Sequence, residues 1–485
     1  MKKELKTYAR YLMVFILLSQ FGCRKFVQLP PDADAITASQ VYSSDASAAA
    51  AVGNIYESMI QANGNTNGST LLSLSMIGGL SADELKNYLT SNAILQQCYT
   101  NSLQSTTSYF WTGIFNGIYG TNDVLSGLAS NTGVTPAEKQ QLNGEAYFMR
   151  AFLHFYGTNI FGNFPIVTTT NYKVNNTISR SSQTLVYQQV MTDLKTAKGL
   201  LPANFVEPTG QIVTTERVRP TKWAAMALLA RVYLYQKDWA DADAMADSVI
   251  NNTSLFSLVT NLNDVFLANS NEAIWQIQPV VTGYNTFDAF NFILTSTPGS
   301  GTKPAAMSNN LVNAFEPGDQ RFVNWVGSFI SQGVTYYYPY KYKIGFVSGS
   351  TSVSEYLMIF RLAEQYLIRA EAEANGATGG LNAAIADLNL IRTRAGLPNY
   401  TGSATDKTAV LNAIYHEDQV EFFTELGHRW FDLQRWGMIN SVMGSPGNVT
   451  QSKGGSWNPD GHQALFPVPQ TQILLDGNLG QNPGY

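Results

Sequence analysis

Five ionisable residues near the C-terminal end, Glu421, Glu425, His428, Asp432 and Arg435, recur at spacings of three and four. On a helix that spacing places carboxylates, an imidazole and a guanidinium on one face. Paired carboxylates beside a histidine are the equipment of general acid–base chemistry, and glycoside hydrolysis runs on two carboxyl groups ~5 to 9.5 Å apart. The same pattern is also a ladder of opposite charges, here beside Trp430 and Trp436. That structural reading is the stronger one, because i to i+4 pairs stabilise a helix without needing a cleft. Arg369, Glu371 and Glu373, following Tyr366, read likewise as a solvated or ion-paired face. The other histidines, His154, His416 and His462, are scattered, and the two cysteines, Cys23 and Cys98, have no partner at zinc spacing. A G-x-S-x-G elbow, an H-E-x-x-H helix, a P-loop and a dinucleotide-binding G-x-G-x-x-G are all absent, and Gly299-Ser300-Gly301 reads as a flexible turn. No catalytic residue, metal site or cofactor is therefore assigned.

Aromatic residues offer a different chemistry. The chain holds 25 Tyr and 25 Phe, enough for some rings to stand outside the core. Trp111, Trp223 and Trp239 fall within helix pairs and read as packing residues. Tyr88 and Tyr99 instead flank a polar segment after Asp83-Glu84, Tyr284, Phe287 and Phe290 lie in a long insert, and Trp325 follows it. Sugar rings present apolar C–H faces that pack on aromatic rings while polar side chains read the hydroxyls, so rings in loops suit a glycan. Tyr88, Tyr99, Tyr284, Phe287 and Trp325 are the candidate ligand-binding residues. Tyr336, Tyr337, Tyr338, Tyr340 and Tyr342 alternate as a strand does, so at most one face of that run could serve a ligand.

The elements that must position these residues are mostly helical. Thr135-Pro136-Ala137-Glu138 is a capping-box pattern with Pro at the first helical position, and Leu142, Ala146, Met149, Leu153, Tyr156 and Ile160 follow at helical spacing up to Gly162. Periodicity predicts further helices over 48–60, 109–128, 185–200, 221–236, 241–250, 362–374, 383–395 and 409–436. Strand-like alternation is confined to 273–280 and 334–344, so any sheet is small. Met226, Leu229, Ala230 and Tyr233, then Ala242 and Ala246, match the tetratricopeptide spacing, in which small residues let paired helices approach. A looser echo pairs 362–374 with 383–392. The expected architecture is mainly α: tetratricopeptide-like helix pairs forming a solenoid base, whose right hand is what the family resemblance given below implies, with a small β element and long irregular inserts at 61–70, 282–310, 348–354 and 441–462.

Composition sets outer bounds. Among 485 residues, 45% are hydrophobic and 13% charged, with a formal charge of -5, which describes a folded chain with a large core. Without a run of Lys or Arg there is no electrostatic footprint for nucleic acid or anionic headgroups. Lys2, Lys3, Lys6 and Arg10 precede a short apolar stretch, YLMVFILLSQF, which is too brief to span a bilayer and reads as a signal peptide. Gly22-Cys23 at its end has the form of a lipoprotein junction, although Gln20 and Phe21 stand where Leu and a small residue are usual. Residues 1–22 are thus expected to be removed, Cys23 to carry the lipid anchor, and 23–36, with Pro30 and Pro31, to form an extended tether. The folded body is expected as a single domain over 37–485; its division into an N-terminal part at about 37–260 and a C-terminal part at about 270–485 is what the family resemblance given next implies.

The segments CRKFVQLPPDADAITASQVYSSDASAAAAVGNIYESM, GEAYFMRAFLHFYGTNIFGNFPIV, RPTKWAAMALLARVYLYQKDWADA, FRLAEQYLIRAEAEA with DLNLIRTRAGL, and EFFTELGHRWFDLQRWG with LFPVPQTQILLDGNLGQNPGY, in this order behind that leader, resemble the SusD/RagB family of outer-membrane nutrient-uptake lipoproteins. The resemblance covers essentially the whole chain after the leader. It implies a surface-exposed protein that catalyses nothing, binds chiefly oligosaccharides or in some members peptides, and docks as a lid on a SusC-like TonB-dependent outer membrane transporter. One departure is Asp418-Gln419, where many members carry consecutive arginines, which puts one internal ion pair in doubt. A helical glycan-processing enzyme and a pure interaction scaffold are the competing readings.

Overall fold

In the computed structural model, residues 38–60, 70–210, 212–299, 302–444 and 449–485 are described. The leader, Cys23, the tether and most of the first insert lie outside them. The chain is mainly helical: α1 (Asp45–Ile60), α2 (Leu74–Ser81), α3 (Ala93–Tyr99), α4 (Trp111–Ser130), α5 (Pro136–Phe161), α6 (Gln183–Leu200), α7 (Lys222–Tyr235) and α8 (Trp239–Ile250), then α9 (Leu362–Ala374), α10 (Gly380–Arg394), α11 (Lys407–Glu421) and α12 (His428–Arg435). Short helices such as Tyr172–Asn175, Phe287–Phe292, Gln320–Trp325 and Gln470–Leu475 lie between and beyond these.

The central member is α5, which is buried on almost every side from Gly144 to Phe161 and packs on α4 and α6. Its start differs from the predicted capping box. Thr135 makes no side-chain cap; its N–H and Oγ1 both donate to the Asp45 carboxylate, at 2.7 and 2.8 Å, tying the helix entry to α1. Glu138, the expected reciprocal partner, is instead fully buried 3.8 Å from Arg219. The helix ends at Gly162, whose φ of 74° is favoured only for glycine. Phe148 and Phe152 on α5 meet Trp275 edge-on at 5.1 and 5.6 Å. Each such fully buried ring stabilises the fold by ~1.5–3 kcal/mol.

The tetratricopeptide-like spacing is realised as α7 packed on α8, which packs in turn on α9, itself paired with α10. Ala227, Ala230, Ala242 and Ala246 are fully buried at these seams, because their methyl groups are all that the close approach admits. Trp223 and Trp239 are only partly buried, at the edge of this core.

The single helix predicted over 409–436 is two. α11 stops at Glu421 and α12 begins at His428, with Thr424 (φ 54°), Leu426 (φ 44°) and Gly427 (φ 73°) all in left-handed conformations between them. Tertiary contacts outweigh propensity here. Thr424 N–H donates to Glu84 and Leu426 N–H to Ser75, while Gly78 of α2 lies against Gly427.

Strands are few and short. β1 (Leu85–Asn87) pairs antiparallel with β3 (Ala305–Met307), β2 (Ala273–Ile277) with β6 (Leu357–Arg361), and β4 (Val326–Ser331) with β5 (Val334–Pro339). The last is a hairpin whose turn, Gln332-Gly333, has φ of 51° and 77°, as a tight right-twisted hairpin requires. The insert predicted as irregular at 282–310 contains the helix Phe287–Phe292 and β3. A main core runs from Tyr42 to Leu479, with a second around Val265, Phe266 and Trp325 and a third around Leu388, Val410 and Ile414.

Candidate functional site

Because the helix breaks at Phe422, the charged stripe does not form one face, and its members divide between two buried networks. Glu421 accepts from Arg321, at 2.9 Å, and from Arg361 and Arg394, while Glu425 accepts from Arg361 at 2.9 Å and from Lys341. Burial alone would raise the Glu421 carboxyl, but Arg394, Arg361 and Arg321 hold it well below the usual carboxylate range. On α12, Arg435 pairs with Asp432 and Glu371, both at 2.7 Å. His428 stacks on Phe422 at 4.9 Å, and burial with the charge of Arg231 holds its imidazole well below its ordinary pKa. Asp418, the position that departs from the family pattern, is buried beside Asp432; burial first and then that neighbouring charge hold it well above the usual range.

One carboxyl pair does have the divergent titration that acid–base chemistry uses. Burial pushes Asp288 up to about 7, with Glu425 adding to the push, while Glu425 itself stays low because Arg361 and Lys341 outweigh its own burial. Yet Glu425 is fully engaged by those cations, and the opening beside Asp288 encloses about 20 Å³, room for a water and not for a sugar ring.

The candidate aromatics lie in two groups, of which Tyr284 and Phe287 border the same small opening as Asp288 and turn their remaining faces outward beside the exposed Phe346. Tyr88, just after β1, is half-buried and meets Tyr336 of β5 edge-on at 5.6 Å, with the Lys86 ammonium 5.0 Å over its ring. Tyr99 ends α3, rather than lying in a loop, and is half-buried under the Lys453 ammonium at 5.3 Å. Burial raises the Tyr99 phenol and nearby Tyr88 adds to the rise. Tyr284 and Phe287 are half-buried 4.8 Å apart, with Phe290 at 5.1 Å and Phe346 at 4.8 Å from Tyr284. The segment 302–304 joins the two groups. Pro304 O accepts from Tyr88 N–H and Leu89 N–H, at 2.8 and 3.2 Å, while the Lys303 ammonium lies 4.8 Å from the Phe290 ring. Tyr88 with Tyr336, and Tyr284 with Phe287, Phe290 and Phe346, are thus two aromatic groups joined through segment 302–304, with Lys86 over the first and Lys303 over the second.

Trp325 is a correction. It is 0% exposed, its indole N–H donates to Leu262 O at 2.8 Å, and its ring packs on Phe266 in the second core, so it cannot meet a ligand. Sequence reasoning also missed Phe346, the most exposed ring of the set at 48%. Gly283 explains its place: with φ of 89° and no Cβ, the loop lies directly against Phe346, and Val347 N–H donates to Gly283 O. Tyr336 belonged to the tyrosine run whose alternation was legible. Its neighbour Tyr337 points the other way, onto Phe322 at 5.5 Å, so one face of the strand is left for the cluster.

Comparison with known proteins agrees with this fold. Residues 25–234 match a family model described as "Starch-binding associating with outer membrane", and residues 330–485 match the model of the SusD family. The chain is 26% identical to SusD-like protein P2 of Formosa agariphila over 427 residues, covering 78% of this chain and 80% of that one. It is 24% identical to the starch-binding protein SusD of Bacteroides thetaiotaomicron over 441 residues, covering 74% and 75%. Among solved structures, a SusD superfamily protein from Bacteroides vulgatus superposes with a TM-score of 0.78 at 22% identity, covering 92% of this chain and all of that one. A laminarin-binding SusD-like protein does so with a TM-score of 0.73 at 23% identity, covering 92% and 100%.

Proposed function

The chain belongs to the SusD/RagB family, and from this premise we propose that it captures oligosaccharides at the cell surface and delivers them to a SusC-like TonB-dependent transporter without altering them. Cys23 carries the lipid anchor in this reading, which holds the protein on the outer membrane facing the exterior. The observation that supports capture is the pair of half-exposed aromatic groups joined by segment 302–304, Tyr88 with Tyr336 and Tyr284 with Phe287 and Phe346. Such rings offer π faces to sugar C–H groups, and the exposed Lys86 beside Tyr88 supplies a donor to hydroxyls. The arginine-bound carboxylates favour binding over hydrolysis, because neither Glu421 nor Glu425 is free to carry a proton.

Calorimetry of a soluble form beginning after Cys23, against oligosaccharide and peptide panels, tests this. Tyr88→Ala and Tyr284→Ala are each expected to weaken glycan affinity roughly fivefold, ~1 kcal/mol per ring, with the glycan recovered intact. Trp325→Phe is the control and should leave affinity per folded molecule unchanged. Binding of peptides alone would keep the uptake role and overturn the glycan. For the anchor, Cys23→Ala should abolish fatty-acid labelling and release the protein from membranes.

A further inference from the structure

Asp288 lies under the second aromatic group and takes no part in the binding just proposed. It stands in the first turn of the short helix Phe287–Phe292, between Phe287, whose ring meets Tyr284, and Ala289, which packs in the second core. Its carboxyl is buried beside the opening of about 20 Å³ that Leu72, Ile277, Val281 and Leu357 wall and that Tyr284 and Phe287 border. Three elements bring polar groups to it. From α2, the Ser75 hydroxyl donates to the carboxyl and accepts from Leu426 N–H at 3.3 Å, which links Asp288 to the left-handed turn between α11 and α12. From that turn comes the Glu425 carboxylate, and from the segment after β5 come Lys341 and the Tyr342 phenol. Lys341 does not neutralise Asp288, because it is held by Glu425 and donates to Glu421 O at 2.8 Å. Tyr342 OH accepts from Met358 N–H at 2.9 Å, and burial first, then the Asp288 charge, hold its phenol well above the ordinary value, so it stays neutral. A charge on Asp288 therefore meets an apolar wall and a second carboxylate, with its nearest cation already engaged, whereas the neutral acid fits the same place at little cost. Burial accordingly pushes the carboxyl from 3.8 up to about 7, and Glu425 adds to the push.

We propose that Asp288 is a pH-sensitive switch beneath the Tyr284 and Phe287 group: as the neutral acid it seats the first turn of its helix and presents both rings, and as the carboxylate it is driven from Glu425 and the apolar wall, carrying that turn and its rings away. The helix is short enough to give way. It has six residues, and its first turn is closed by Phe290 N–H on Thr286 O at 3.2 Å and Ala289 N–H on Thr286 Oγ1 at 3.0 Å. Lys303 donates to Phe290 O and holds the last turn, so the first, with Phe287, is the part that moves. The carboxyl has its ordinary value of 3.8 when unseated and about 7 when seated. The seated form is thus favoured fully below about pH 4, loses about tenfold in preference per pH unit on the way to about 7, and loses little more above it. That this regulates ligand capture rests on the reading that these rings bind a glycan; the switch itself does not.

Hydrogen exchange of the soluble chain after Cys23 tests the switch without any ligand, with the Ala289 and Phe290 amides read against those of α7. Their relative protection is expected to fall by up to about a hundredfold between about pH 5 and 7 and then to level off. In Asp288→Asn, which keeps the shape and never ionises, it should stay at the level of the parent at pH 5. Calorimetry with malto-, laminari- and cello-oligosaccharides at pH 5 and pH 8 tests the regulation: affinity should drop about fivefold at the higher pH in the parent and hold in Asp288→Asn. The switch is overturned by flat relative protection in the parent, a result that stands even where the variant does not fold, or by the same fall in parent and variant. Exchange that depends on Asp288 beside an affinity that ignores pH overturns the regulation. The expected exchange with no saccharide bound at either pH supports the switch and sinks only the assignment of these rings to a glycan.

Discussion

Glu84 accepts from Thr424 N–H at 3.0 Å through Oε1, while its buried Oε2 has no partner among the described residues. Burial pushes its carboxyl up from 4.5 to about 8 against that hydrogen bond, and the adjacent Asp83 adds to the push. The folded state therefore holds a proton that the unfolded chain gives up. The resulting stabilisation is complete below about 4.5 and is lost as pH rises through about 8. Between pH 5 and 9 the urea midpoint should fall, and Glu84→Gln should flatten that fall by an amount on the order of a few kcal/mol. Equal slopes in parent and variant would show that Glu84 ionises in the folded protein. Neither this residue nor Trp325 could be placed from sequence, because a glutamate in a polar segment and a tryptophan after an insert carry no local mark of burial.

Among the elements, the contact between α2 and the start of α12 is decided by two glycines. A Cβ on Gly78 would come within 2.7 Å of Gly427 Cα, and backbone cannot move aside as a flexible side chain can. Gly78→Ala should cost ~1–3 kcal/mol, read as a lower urea midpoint, with the affinity of folded molecules unchanged. Gly53, on an exposed part of α1 with nothing within 4 Å of a Cβ, is the matched control. There alanine should stabilise by ~0.5–1 kcal/mol, because only the helix propensity changes. A midpoint for Gly78→Ala at or above that of the parent would show that α2 and α12 separate without cost. The break between α11 and α12 belongs to this scale as well: residues 409–436 have helical periodicity throughout, and Gly427 was its one local warning.

For the molecule as a whole, the arginine-bound carboxylates join parts distant in sequence. Glu421 at the end of α11 binds Arg321 beside the second core, Arg361 at the end of β6 and Arg394 at the end of α10. Removing its charge leaves three buried guanidiniums undercompensated, and breaking such a network costs ~3–5 kcal/mol. Glu421→Gln should therefore lower the urea midpoint by that order at pH 7. Because the Glu421 carboxyl is held below its ordinary value of 4.5, its contribution is present above that value and fades as pH falls through the folded one. Acid should thus destabilise the parent more steeply than the variant, and parallel acid limbs would contradict the network's role.

The helices with a single apolar stripe were legible in sequence. Residues 362–374 emerged within the predicted bounds, and the alanines of α7 and α8 declared the close pairing they make, since helical period and residue size are local properties. The candidate site was legible only in part. Tyr88, Tyr284 and Phe287 were picked out as rings without a helical stripe, yet the neighbours that make them a cluster, Tyr336 and Phe346, are separated from them by up to about 250 positions. Which ring faces water and which, like Trp325, closes a core depends on whether another segment covers it. The same holds for Glu421 and Glu425, whose spacing suggested catalysis or a helix ladder: Arg321, Arg361 and Arg394 from three other elements engage Glu421, and Arg361 with Lys341 engages Glu425. Burial and charge pairing are properties of neighbours in space, and only the tertiary structure supplies those.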